Sequence, residues 1–186
     1  HKPWLDEVVG DTNPLLAGMP PGVVCYHFLY QLRAYANAGF HAVIVVSGHA
    51  GGSQKDLRRV AKAFTRSTGI PVVVKTDPEW GGYEGDHAGA YEISQLQAIH
   101  PEAVDLSLLE RMNDEGSGGR LALGLDAAEA SPEKGTVINE TIIAAIGAAA
   151  EDLREGTSIK EPMNYQQTED IWSEILAQGE WWSMNL

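Results

Sequence analysis

Between Val23 and Lys75 the sequence alternates helix, strand, helix, strand, and this order restricts the fold more than any other feature. Phe28, Leu29, Leu32, Tyr35 and Ala36 recur at helical steps over about Val23–Asn37, and Gly39 supplies the stop. Ala42–Ser47 is a short β-branched run between turn signals, the pattern of a strand buried on both faces. A second helix is expected over about Ser53–Thr65, its basic residues on a solvated face, and it ends by Gly69. Pro71–Lys75 then reads as a second buried strand. The alternation implies a parallel sheet covered by helices on both faces. Ligands bind such sheets beyond the carboxyl ends of the strands, where Gly48–Gly52 lie.

The flanking regions are less regular. Residues 1–22 carry so many glycines and prolines that no long element is expected there. Thr76–Gly85 reads as a loop containing Trp80 and Tyr83, followed by helices over Ala88–Ile99 and Leu106–Met112. Asn113–Gly119 is a polar loop, and Leu121–Leu125 is either a short strand or extended chain. Ser131–Gly135 opens the longest helix, about Thr136–Arg154. Lys160–Gln167 reads as a linker and Thr168–Gln178 as an amphipathic helix. Trp181 and Trp182 must cover something: the body, a neighbouring subunit or, as a lid, the substrate. The expected organisation is one α/β domain over 1–158, then a C-terminal linker and helix over 159–186 that packs on the body or a neighbour.

A net charge of −13 argues against nucleic acid and against an anionic membrane surface as partners. No apolar run reaches the roughly 18 residues of a membrane span, and no signal peptide is visible. Cys25 is the only cysteine, which forbids an intrachain disulfide and fits a reducing cytoplasm; inside an apolar run it reads as a core residue.

Two short stretches carry chemistry. Gly48-His49-Ala50-Gly51-Gly52 presents a histidine from a glycine-flanked turn after a strand, and Gly85-Asp86-His87-Ala88-Gly89-Ala90-Tyr91-Glu92 presents another with a carboxylate five residues on. Histidine and carboxylate suit zinc, manganese or iron. On one continuous helix His87 and Glu92 would face different directions. They converge if His87 precedes the first turn and Glu92 lies within it, with Asp86 capping the helix start. The bland readings are a hydrogen-bonded structural histidine at His49 and a surface carboxylate at Glu92. His27, His41 and His100 have no such context. No Gly-x-Ser-x-Gly turn and no phosphate loop is present.

At these residues the sequence resembles the creatininase (creatinine amidohydrolase) family. Gly48–Gly52 matches its Gly-His-Gly-Gly-Asn loop, and His87-Ala88-Gly89-Ala90-Tyr91-Glu92-Ile93-Ser94 matches its His-Ala-Gly-x-x-Glu-Thr-Ser stretch. Pro21-Gly22, Ala38-Gly39-Phe40 and Ala130–Gly135 extend the likeness from about Pro20 to Glu155. The resemblance implies an α/β three-layer sandwich with a mostly parallel central sheet. It also implies two divalent metal ions per site (zinc or manganese, with iron as an alternative), hydrolysis of a C–N amide bond in a small, often cyclic, substrate, and homo-hexamers. Carried over by position, His49 and Glu92 are metal ligands, and His87 gives the leaving nitrogen its proton. Gly48, Ala50, Trp80 and Tyr83 lie near the substrate. Two departures stand beside this. The family's Glu-x-His motif with its following Asp is expected upstream of residue 1, and His1, Asp6 and Asp11 do not reproduce it. Gly51 and Gly52 replace an acid and an asparagine, which points away from creatinine as substrate. The competing reading is a non-catalytic scaffold or interaction subunit of the same family with an incomplete metal site.

Overall fold

The computed structural model describes residues 21–48, 53–114, 123–156 and 158–178, and the chain divides into two compact units. The first holds α1 (Pro21–Asn37), α2 (Ser53–Thr68), α6 (Tyr165–Ala177) and most of two strands, β1 (Val43–Ser47) and β2 (Val72–Thr76). β1 and β2 pair in parallel, as a strand–helix–strand crossover requires. α1 buries Cys25, Phe28, Leu29, Leu32 and Ala36 along one stripe. Val60, Ala61 and Phe64 from α2 and Ile171 and Ile175 from α6 complete the same core, closed by Ile70 and Val74. Each fully buried Leu, Ile or Phe here contributes about 1.5–3 kcal/mol. Gly39 and Gly69 take φ of 90° and 77° at the ends of α1 and α2, where a side chain would be strained.

α6 begins at Tyr165 and takes in the last three residues of the expected linker. Asn164 accepts from the Gln167 N–H at 3.0 Å, and Gln167 Oε1 accepts in return from the Asn164 N–H at 2.9 Å, a reciprocal cap. Just before it, Arg33 Nε and Asn37 Nδ2 each donate to the Met163 carbonyl at 3.0 Å. The Tyr26 and Tyr30 hydroxyls both donate to one oxygen of Glu169, at 2.5 and 2.6 Å.

The expectation that the strands are buried on both faces does not hold. Val46 is 45% exposed and Lys75 is exposed as well. Among the described residues the sheet has two strands, so neither strand has partners on both sides. The described chain is mostly helical around this small parallel sheet, compatible with an α/β fold. No described helix is long and apolar enough to cross a membrane.

The second unit holds α3 (Asp77–Gly81), α4 (Ala90–Ile99), α5 (Pro132–Asp152) and 3₁₀ turns at Pro101–Ala103, Leu106–Asn113 and Ala127–Glu129. The stretch read as a loop from Thr76 therefore contains a helix. Thr76 Oγ1 accepts from the Glu79 N–H at 3.4 Å while Glu79 Oε2 accepts from the Thr76 N–H at 2.8 Å. The expected helix over Leu106–Met112 is a 3₁₀ helix over Leu106–Asn113. α5 starts at Pro132, with Ser131 Oγ accepting from the Lys134 N–H at 3.2 Å. It packs on α4 at Gly135, where a Cβ would lie 1.8 Å from the Ser94 carbonyl oxygen. Ser94 is fully buried there; its hydroxyl donates to the Ala90 carbonyl and accepts from the Ser131 N–H.

The expectations for residues 1–20, for Asn113–Gly119 beyond Asp114, for residues 121–122, and for Trp181 and Trp182 fall outside the described residues.

Candidate active site

α4 starts at Ala90, two residues later than the sequence pattern implies, because Ala88 adopts φ 47° and cannot belong to a right-handed helix. His87 therefore sits in a turn ahead of the helix, exposed, and Glu92 sits in the first helical turn, half-buried. Glu92 folds back on the turn: its Oε2 accepts the Ala88 N–H at 2.7 Å, the peptide that joins Ala88 to His87. This is the arrangement under which the two residues can converge.

The N-terminus of α4 exposes N–H groups that need acceptors. Asp86 takes two of them, Oδ2 from Tyr91 at 2.7 Å and Oδ1 from Glu92 at 3.2 Å, the capping role its position implied. Asp126 takes a third, Oδ1 from Ala90 at 3.1 Å. Nothing in the sequence pointed to Asp126, which lies far along the chain in a stretch without periodicity. Three carboxylates, those of Asp86, Glu92 and Asp126, thus surround the turn.

Tyr83 is half-buried, its ring 5.7 Å from that of Tyr91 and its hydroxyl donating to Thr141 Oγ1 at 3.4 Å. Tyr91 is buried and donates its hydroxyl to Asp77 Oδ2 at 3.0 Å. Burial, and then this bond to a carboxylate, push its phenol above the usual range. Trp80 is only 7% exposed, with the Lys75 ammonium 4.5 Å from its ring centroid. Its indole N–H is buried without a partner among the described residues. A cleft of about 690 Å³ opens beside these groups, walled by Tyr83, Asp86, Tyr91, Asp126 and Glu133 with Val137 and Ile138 between them.

Gly48 lies exposed at the end of β1, while His49 and Ala50 fall outside the described residues. His87 and Glu92 are donors of the right chemistry for zinc or manganese, but a catalytic site takes about three from the protein. Among the described residues no group of three or more His, Cys, Asp or Glu is placed to hold a metal ion, so these residues alone do not complete a centre. Cys25 is buried in the first unit's core, and burial followed by the Asp56 charge pushes its thiol up to about 12, the opposite of an activated nucleophile.

No curated protein and no solved structure matches the chain. A family model, Creatininase, described as creatinine amidohydrolase, matches residues 27–150 and so spans both glycine-flanked histidine stretches. That match covers two thirds of the 186 residues, and the protein therefore belongs to the creatininase family.

Proposed function

We propose that the protein is a metal-dependent amidohydrolase that cleaves a C–N amide bond of a small, often cyclic, substrate. The observation that carries this reading is the turn at His87: an exposed imidazole held ahead of a helix, with the Glu92 carboxylate drawn back against its peptide. Family membership supports it. In this reading Glu92 and His49 are the metal ligands that this chain contributes. The metal, zinc or manganese, supplies an activated water and polarises the scissile carbonyl when bound. His87 carries the proton to the leaving nitrogen. Its exposure gives it access to substrate and solvent, so it can be reprotonated after each turnover. Tyr83 and the cleft beside it, lined by carboxylates and by Lys134, take the substrate. Gly48, Ala50 and Trp80 belong to the same proposal. So do a larger, three-layer sheet arrangement, a cytoplasmic setting and a homo-oligomer, hexameric in the family.

The test is turnover of a panel of cyclic and linear amides by zinc- or manganese-loaded protein, beside His87→Asn. General acid–base catalysis is worth about 10²–10⁴-fold, so the variant loses that much in kcat while KM changes little. Equal kcat in both proteins defeats the role of His87. Absence of turnover on every amide and with either metal favours the scaffold reading, which the short donor set among the described residues supports.

A further inference from the structure

We infer that Asp126, together with Gly124, is the positioning residue for His87: the segment Gly124–Asp126 moulds the turn His87–Ala88–Gly89 into its left-handed conformation. The functional side of this inference rests on the reading of His87 and Glu92 given above. Among the described residues, Ala88 alone of the non-glycine residues has positive φ, at 47°. A side chain disfavours that conformation, which persists only where the surroundings over-determine it.

Both polar groups of Ala88 are held. Its N–H donates to Glu92 Oε2 at 2.7 Å, and its carbonyl accepts the Gly124 N–H at 3.1 Å. The Ala90 N–H, two residues on, is taken by Asp126 Oδ1 at 3.1 Å. The two segments touch with no room for side chains. A Cβ on Gly124 would lie 2.6 Å from Gly89 Cα, and a Cβ on Gly89 would lie 2.6 Å from Asp126 Oδ1. Two glycines in van der Waals contact, flanked by hydrogen bonds on either side, form a template whose shape the turn must follow.

A generic helix cap would not explain this. Asp86 already satisfies the Tyr91 and Glu92 N–H groups, so the helix start stays capped without Asp126. What Asp126 adds is a fixed point at Ala90, on the carboxyl side of Gly89, while Gly124 fixes the carbonyl on the amino side. The pair brackets Gly89, the second of the two residues between His87 and the helix. Loosening the bracket lets Ala88 relax to negative φ, which turns the His87 imidazole and releases the Glu92 carboxylate from the Ala88 N–H.

The experiment compares wild type, Asp126→Ala, Asp126→Asn and Gly124→Ala. Amide hydrogen exchange is followed by NMR at Ala88 and Ala90, and zinc affinity by calorimetry with the metal alone as probe. Loss of one bracket bond is expected to speed exchange at Ala88 and Ala90 about tenfold, with helical amides from Leu96 onward unchanged. Zinc affinity falls alongside in Asp126→Ala. Asp126→Asn keeps an acceptor oxygen and restores both readouts, which a merely structural requirement for charge would not do. Gly124→Ala, whose methyl would press on Gly89 Cα at 2.6 Å and stand 3.1 Å from Asp126 Oδ1, reproduces the faster exchange with every carboxylate still in the chain, and it decides the matter if Asp126→Ala does not fold. Wild-type exchange at Ala88 in Gly124→Ala, or in a folded Asp126→Ala, overturns the inference. A wild-type protein that binds no zinc or manganese overturns the hydrolase reading instead, and the exchange comparison still decides whether Asp126 shapes the turn.

Discussion

Gly135 and Gly147 lie on the same helix, and replacing each with alanine is expected to move stability in opposite directions. At Gly135 the new methyl would stand 1.8 Å from the Ser94 carbonyl oxygen, 2.3 Å from its carbon and 2.9 Å from the Gln95 nitrogen. Carbon atoms ordinarily rest about 3.5 Å from such neighbours, so α4 and α5 must separate by roughly 1.5 Å. The clashing atoms are backbone inside a helix and cannot swing away. Overpacking costs about 1–3 kcal/mol, and the rigid partner puts this site at the upper end. Alanine returns about 1 kcal/mol through its better helix propensity. The net is a loss of about 2 kcal/mol, or about 4–8 °C in Tm for a chain of this size. A Cβ at Gly147 would meet nothing within 4 Å, so only the propensity gain remains there. Gly147→Ala should raise Tm by about 2–4 °C. Thermal melts followed by circular dichroism measure both. If Gly135→Ala melts at or above wild type, the close approach of α4 and α5 is wrong.

Three further outcomes follow from particular contacts. Thr76→Ala removes the side-chain half of the reciprocal cap on α3 and should cost about 0.5–2 kcal/mol in chemical denaturation, with Thr76→Ser restoring most of it. Burial, and then the Asp56 charge, raise the Cys25 thiol from 9.0 to about 12, so it should resist a thiol reagent at pH 8 until the protein unfolds. A raised acid favours its neutral form in the fold. Its contribution is therefore complete below pH 9 and lost as pH rises toward 12, and Cys25→Ala should flatten that alkaline fall in Tm. The two tyrosine hydroxyls hold the Glu169 carboxyl below its usual range, so its contribution is present above the unfolded pKa of about 4.3 and lost as pH falls through the lower folded value. In the Tyr26→Phe/Tyr30→Phe double variant that acid dependence should disappear from melts taken between neutral pH and pH 3.

The longer helices were legible from apolar residues at helical spacing, as Cys25, Phe28, Leu29 and Leu32 are on α1. The strand order was legible from β-branched runs between glycines. Strand burial was not, because periodicity reports apolar content and not how many neighbours a strand finds; Val46 is exposed for that reason. α3 carried a readable signal, Thr76-Asp77-Pro78-Glu79, which a dense glycine loop obscured. The site was half legible. Residue type and spacing placed His87 before a helix and Glu92 inside it, with Asp86 as cap. Asp126 was invisible, since its partner Ala90 lies in a different element and no local pattern links them. The left-handed state of Ala88 was equally hidden, because alanine gives no sign of positive φ.

Metal binding by Glu92 beside His87 is the central proposal, and metal content tests it directly. Elemental analysis of the purified native protein and its Glu92→Gln variant, both checked for folding, should find zinc or manganese at roughly two equivalents in the first and a clear loss in the second. An undiminished metal content in Glu92→Gln, or none in the native protein, would contradict it.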